Sequence, residues 1–183
     1  MLIIDLDDFS SSNSKLDLLD RLYDINKNLK LTLFTVPFET PYSWLDDVAK
    51  KRPWIQFAVH GYTHATPREC LVWDTFSMKN VMRHIHPPYS HVFKAPGWNL
   101  SDACYDVLTE TGWILADHPK NAERRQAWVR KGLKIYDFME HGLNAMHGHM
   151  QNVCHNGLEE YFKVYEDRVR REHDFRWISE VAS

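Results

Sequence analysis

The sequence predicts an α/β fold in which strand–helix units form a compact, barrel-like parallel sheet. Short apolar runs alternate with segments of helical periodicity along the whole chain, which is the pattern of successive βα units. The 183 residues, 44% of them hydrophobic and 26% charged, indicate one globular domain spanning residues 1–183. Seven or eight strands in a chain this short predict a barrel below the typical ~250 residues of a complete eightfold one.

Eight apolar runs are the candidate strands. They lie at 2–6, 31–36, 54–59, 91–95, 113–116, 134–138 and 143–147, with 175–179 as a candidate closing strand. Helical spacing of apolar residues predicts the intervening helices. The predicted helices lie at 14–29, after Thr40-Pro41, at 73–84, between Ser101 and Gly112, and from Leu158 onward. Thr40 is the expected N-cap and Pro41 the first helical residue of the second helix. Ser101 is the expected N-cap of the fourth helix, and Gly112 is expected to end it.

Segment 120–134 contains six basic residues and one acid, Glu123. We expect a solvated connection there. The alternative is a contact for an anionic group on a substrate.

Charge and cysteine content exclude several classes of protein. A formal net charge of −3 provides no basic field for nucleic acid. The sequence also contains no run of 18 apolar residues, which is about the length that a membrane-spanning helix needs. The first residues carry acids where a signal peptide would be apolar, so we expect a cytoplasmic protein. Three widely spaced cysteines, Cys70, Cys104 and Cys154, favour reduced thiols over a disulfide framework. The oligomeric state stays open.

Polar residues follow the predicted strands at their carboxyl ends. They are Asp7 and Asp8, His60, Lys94 to Pro96, Asp117 and His147. In parallel α/β folds these strand ends form the functional face, so we expect the site there.

His60 and His64 have the spacing that places two imidazoles on one face of a helical turn, and Gly61 lets the chain turn after the strand. With one carboxylate they would form a facial metal site with open positions for water. Asp7 and Asp8 can supply both a ligand and a general base. The alternatives are a chance histidine pair and an acidic cluster that caps the first helix.

His147 and His149 flank Gly148 after an apolar strand. One of them can serve as a general acid near neutral pH, or both can be satisfied by backbone groups. We expect Gly148 to turn the chain and carry His149 away, which favours His147 as the acid. The remaining candidates are expected to be surface or structural histidines: His84, His86, His91, His141, His155 and His173.

Together these segments resemble the motif series of polysaccharide deacetylases, the NodB-type carbohydrate esterases. The matching segments are LDD (6–8), HGYTH (60–64), FKAPGW (93–98), Gly112-Trp113 leading to Asp117, and AMH (145–147). The resemblance covers nearly the whole chain. It implies a distorted (β/α)7-type barrel that binds one divalent metal ion, most often zinc, and removes acetyl groups from sugars.

The resemblance also implies roles for individual residues. Asp8, His60 and His64 would hold the metal, Asp7 would be the base for the attacking water, and His147 would protonate the leaving amine. The Gly97 N–H would complete an oxyanion site. Lys94 replaces an arginine that supports the base, and Gly97 replaces an aromatic residue. The substrate side would include Pro96, Trp98, Asp117 and His149, although the Asp-Trp pair of the fourth motif is missing.

The sequence therefore predicts a metal-dependent deacetylase with a carbohydrate substrate and no nucleic-acid or membrane partner. Two alternatives stay open. One is a hydrolase of a non-sugar amide on the same scaffold, and the other is a non-catalytic carbohydrate-binding domain.

Overall fold

A computed structural model describes residues 1–151 and 156–183 of the chain. Eight strands form one sheet in these residues: β1 (Leu2–Phe9), β2 (Leu31–Thr35), β3 (Ile55–His60), β4 (Tyr89–Lys94), β5 (Ile114–Asp117), β6 (Lys134–Asp137), β7 (Ala145–His149) and β8 (Phe175–Arg176). Their order is β6-β5-β4-β3-β2-β1-β7, β8 also pairs with β1, and each pairing is parallel. With β6 and β7 at opposite ends of this order, the sheet forms an open half-barrel. The predicted fold class is confirmed.

The helices follow the strands, as expected for βα units. They are α1 (Leu16–Ile25), α2 (Tyr42–Lys51), α3 (Thr75–Arg83), α4 (Asp102–Thr111), α5 (Ala122–Val129), α6 (Phe162–Arg171) and α7 (Ile178–Val181). The limits of α4 are those the sequence predicts. The Ser101 side chain accepts a hydrogen bond from the Cys104 N–H, and Gly112 ends the helix in the left-handed region at φ 70°.

Several element boundaries differ from the prediction. Helix α2 begins one residue late because the Thr40 hydroxyl donates to the Val36 carbonyl oxygen (2.8 Å) and Pro41 becomes the cap. The basic segment 120–134 contains helix α5. The candidate strand at 175–179 is only two residues long before α7 begins. Helix α6 starts at Phe162 rather than near Leu158 because residues 158–161 form turns.

Alternation along the strands separates two apolar layers. Leu2, Ile4 and Leu6 belong to the larger core cluster, which also contains the buried apolar residues of helices α1, α2, α3, α4 and α6. The other side of the strands carries a smaller cluster: Ile3, Phe34, Ala58, Val92, Ala116, Tyr136 and Ile178. Ile178 belongs to α7, and its backbone N–H donates a hydrogen bond to Thr32 Oγ1 near the start of β2 (3.3 Å). Helix α7 thus closes the amino-terminal end of the barrel and leaves the carboxyl end for polar groups.

In the described residues, no helix is long and apolar enough to cross a bilayer. Cys70 and Cys104 are buried free thiols, whereas Cys154 lies outside the described residues.

Candidate active site and metal centre

Asp8, His60 and His64 converge at the carboxyl end of the barrel. Asp8 Oδ1 lies 3.5 Å from His60 Nε2 and 3.2 Å from His64 Nε2. Asp8 reaches this position because its backbone is left-handed (φ 65°) and the β1–β2 register shifts between Leu6 and Phe9. His64 is also left-handed at φ 54°. Strain of this kind in non-glycine residues typically occurs at functional sites.

The loop between His60 and His64 is fixed by Glu69. Its carboxylate accepts hydrogen bonds from the backbone N–H groups of Thr63 (2.8 Å) and His64 (2.9 Å), and also from the Thr63 hydroxyl (3.0 Å). Gly61 is left-handed, and a Cβ there would lie 2.8 Å from Pro96 Cγ and 2.7 Å from Glu69 Oε2. This crowding and the left-handed backbone together explain why glycine occupies position 61.

The three side chains fit a divalent metal ion. Asp8 Oδ1 is buried without a hydrogen-bond partner, and Asp8 Oδ2 accepts from Gln151 Nε2 (2.9 Å). His60 Nδ1 lies 3.1 Å from the Lys94 carbonyl oxygen, which leaves Nε2 for the ion. Burial lowers the pKa of His60, favouring the neutral ring that binds metals. Two imidazoles and one carboxylate suit zinc, cobalt or a related ion.

Asp7 lies beside this cluster and forms an ion pair with Lys94. Lys94 Nζ is 2.6 Å from Asp7 Oδ1, and both side chains are buried. Asp7 Oδ2 faces His60 Nε2 at 3.8 Å. Burial raises the pKa of Asp7, but the Lys94 ammonium and the neighbouring imidazoles outweigh burial and hold that pKa below its ordinary value. Asp7 is therefore held as an ionised carboxylate.

His147 faces the same carboxylate from β7. Its Nε2 lies 3.9 Å from Asp7 Oδ2, and its Nδ1 lies 2.7 Å from Asp5 Oδ1. Asp5 is 1% exposed and also contacts Lys94 Nζ (3.3 Å). The sequence interpretation missed Asp5. Strand alternation was the available signal, because Asp5 and Asp7 must point to one side of β1.

His149 also reaches Asp7, contrary to the expected turn at Gly148. Strand β7 continues through His149, whose Nε2 lies 3.9 Å from Asp7 Oδ2. Gly148 serves packing instead, because a Cβ there would collide with the Tyr165 hydroxyl and lie 2.6 Å from the Asn156 carbonyl oxygen. Both histidines therefore flank Asp7.

Aromatic rings border His147. Trp98 packs against His147 edge-on, with ring centroids 5.5 Å apart, and stacks on Phe138 at 5.8 Å. Lys94 Nζ lies 4.1 Å from the Trp98 ring centroid. Of the two residues before Trp98, Pro96 is buried and Gly97 is exposed. The Gly97 carbonyl oxygen accepts a hydrogen bond from Lys120 Nζ (2.9 Å). Trp98 and Phe138 thus form an aromatic wall beside His147.

Asp117 lies apart from the other candidates. Asp117 follows the inward-facing Ala116, so its side chain points outward. It accepts hydrogen bonds from Asn121 Nδ2 (2.7 Å) and the Tyr105 hydroxyl (3.3 Å), and it pairs with Arg125 (3.3 Å). Arg125 also pairs with Asp137 (2.9 Å). These buried contacts join Asp117 to helices α4 and α5 and engage one basic residue of the 120–134 segment.

The histidines outside the site match their expected placement where the structure describes them. His84, His86, His91 and His173 are exposed, and His141 stacks on Tyr136. His155 lies outside the described residues.

Structural neighbours share this fold at low sequence identity. The Xyl-CE4 domain of a multidomain xylanase from the hindgut metagenome of Trinervitermes trinervoides superposes with a TM-score of 0.62 at 16% identity, covering 98% of this chain and 88% of that one. A family 4 acetyl xylan esterase from Clostridium thermocellum, in complex with a cobalt ion, gives 0.63 at 14% identity, covering 98% and 89%. A CE4 family pseudoenzyme from Bacillus anthracis gives 0.56 at 9% identity, covering 98% and 64%.

No protein-family sequence profile matches the chain, and a search of curated proteins finds no match. The likeness is therefore one of architecture: the chain has the fold of family 4 carbohydrate esterase domains.

Proposed function

We propose that the protein is a metal-dependent hydrolase that removes acetyl groups from an N-acetylated sugar or oligosaccharide. The observation that carries this proposal is the position of Asp7. Its free oxygen lies 3.8 Å from His60 Nε2 in the metal cluster and 3.9 Å from His147 Nε2. One carboxylate thus faces both the metal ligands and a candidate acid, which is the arrangement that acyl hydrolysis needs.

A divalent ion held by Asp8, His60 and His64, with zinc as the first candidate, would polarise the acyl carbonyl and make a water more acidic. Asp7 accepts the proton of the attacking water, and Lys94 keeps Asp7 ionised beforehand. Asp5 orients His147, which donates a proton from Nε2 to the departing amine. The products are acetate and the free amino sugar. The Gly97 N–H is the proposed additional donor to the carbonyl oxygen.

The substrate side follows from the aromatic wall. Trp98 and Phe138 lie next to His147, where the leaving amino sugar would sit. Aromatic faces bind the apolar faces of sugar rings, which supports a carbohydrate substrate. Two of the structural neighbours are a domain of a multidomain xylanase and an acetyl xylan esterase. Both names refer to a carbohydrate substrate, which supports the same substrate class for this protein.

Acetate release by the metal-loaded protein tests the proposal. The substrates are an N-acetylated oligosaccharide, an O-acetylated xylan oligosaccharide and a small non-sugar amide. We expect release from the N-acetylated sugar, dependent on metal and lost in Asp8→Ala. Preference for the non-sugar amide would favour the other hydrolase. Metal binding and glycan binding without acetate release would identify a non-catalytic domain.

A further inference from the structure

Asp7, His147 and His149 form a second group with the composition of a metal site. One ligand atom from each lies within 4.8 Å of the others. Asp7 Oδ2 is 3.9 Å from both His147 Nε2 and His149 Nε2. Ligands placed roughly 2.0–2.2 Å from one ion are roughly 3–4 Å apart, so small side-chain movements would complete this site.

We propose that Asp7, His147 and His149 bind a second divalent cation, more weakly than the first site, and that this ion inhibits the enzyme. The inhibitory part rests on the proposed function, in which Asp7 is the base and His147 the acid. The binding part rests only on the geometry of the three side chains.

The surroundings of His147 and His149 support the site. Asp5 Oδ1 holds His147 Nδ1 at 2.7 Å and leaves Nε2 facing Asp7, which is the carboxylate–histidine arrangement typical of metal ligands. His149 Nδ1 is buried without a hydrogen-bond partner in the described structure. Among the residues that the structure describes, no side-chain hydrogen bond accounts for the position of the His149 ring beside Asp7.

Charge explains why the second site should have the lower affinity. The three carboxylates of Asp5, Asp7 and Asp8 and the one ammonium of Lys94 leave two net negative charges in this pocket. One divalent ion is enough to balance that charge. A second ion would meet both the first ion and Lys94, which lies 2.6 Å from Asp7 Oδ1. We therefore expect the second affinity to be weaker by roughly 100-fold or more.

An ion in the second site would block catalysis directly. It would occupy Asp7 Oδ2, which the base uses, and His147 Nε2, which the acid uses. Activity should therefore rise with the first equivalent of metal and fall as the second site fills.

Metal binding to the chelator-stripped protein tests the site without using activity. Co²⁺ and Zn²⁺ are added separately, the bound metal is measured by equilibrium dialysis with elemental analysis, and Co²⁺ absorption reports the ligands. We expect two ions in the wild type and one in His149→Ala and His149→Gln. His91→Ala, which removes an exposed histidine stacked on Trp113, should still bind two. Circular dichroism checks that each variant is folded.

The outcomes separate the two proposals. One tight ion in the wild type at millimolar metal would overturn the second site and leave the proposed function standing. Two ions in both His149 variants would place the weaker site elsewhere and overturn the assignment. Two ions in the wild type without loss of acetate release at high metal would overturn the inhibition. Absence of any bound ion would contradict the metal centre of Asp8, His60 and His64 itself.

Discussion

Three aspartates of β1 lie within four positions of one another and have different partners. Asp5 holds His147, Asp7 pairs with Lys94, and Asp8 faces His60 and His64. Asp5 and Asp7 point inward by strand alternation, whereas Asp8 does so through its left-handed backbone. Substitution of each aspartate should therefore give a different defect.

Asp7→Asn should keep the metal and lose most of its turnover. The amide cannot accept the proton of water, and removal of a general base typically costs about 10²–10⁴-fold. Metal content and acetate release should be measured on the same sample, with Asp8→Ala as the control that loses both. Turnover within about threefold of wild type would assign the base to another residue.

Asp5→Asn should impair the acid rather than the base. Loss of the carboxylate that orients a histidine typically costs about 10–100-fold. The defect should be large for amide hydrolysis and small for an activated ester, whose leaving group needs no proton.

The two histidine variants should differ in the same comparison of substrates. His147→Ala should lose amide hydrolysis more selectively than Asp5→Asn, whereas His149→Ala should slow both substrates by a similar, smaller factor. Equal losses on both substrates in Asp5→Asn would contradict the positioning role, and a selective amide defect in His149→Ala alone would make His149 the acid.

At the scale of elements, the loop after β3 depends on one carboxylate. Glu69 accepts hydrogen bonds from the backbone of Thr63 and His64. In Glu69→Gln one of the two carboxylate oxygens becomes an NH2 group, so only one of these two backbone N–H groups keeps its acceptor and the loop that holds His64 should loosen. We expect metal affinity to fall about 10–100-fold, as when other groups that orient ligands are removed. Glu123→Gln, at an exposed position of α5, is the control, and equal affinities in the two variants would contradict this role.

Helix α5 is joined to β5 and β6 by Arg125. Its guanidinium pairs with Asp117 (3.3 Å) and Asp137 (2.9 Å), all three being buried. Arg125→Leu would leave two buried carboxylates without their cation, at an expected cost of about 3–5 kcal/mol in the free energy of unfolding. The neighbouring Arg124→Leu removes an exposed pair with Asp102 and should cost less than about 1 kcal/mol. Urea unfolding measures both, and similar values would contradict the assignment.

At the scale of the whole molecule, the metal should stabilise the fold, because its ligands come from β1, β3 and the following loop. An ion present at about 1,000 times its Kd adds about 4.1 kcal/mol to the free energy of unfolding. For a chain of this size, the Tm should fall by roughly 8–16 °C on chelation. Calorimetry with and without chelator measures the change. Asp8→Ala should show no such difference, and a chelator-insensitive wild type would contradict the metal centre.

Strand alternation connects the sequence to most of the site. The apolar residues Ile3, Ala58, Val92 and Ala145 are followed two positions later by Asp5, His60, Lys94 and His147, with Asp7 and His149 two positions further. Because side chains alternate across a strand, these polar residues lie on the inner side above the apolar layer. Apolar periodicity, strand ends and caps were likewise sufficient to predict the parallel α/β fold and helix α4.

Only the tertiary structure decided the exceptions to this rule. Asp8 joins the site against the alternation because its backbone is left-handed where the β1–β2 register shifts. Asp117 leaves the site because it follows the alternation outward to Arg125. Gly148 stays within β7, and its role there is to leave room for Tyr165 of α6. Local sequence sets which face a residue would occupy in a regular strand, whereas backbone irregularities and contacts distant in sequence decide where the regular pattern ends.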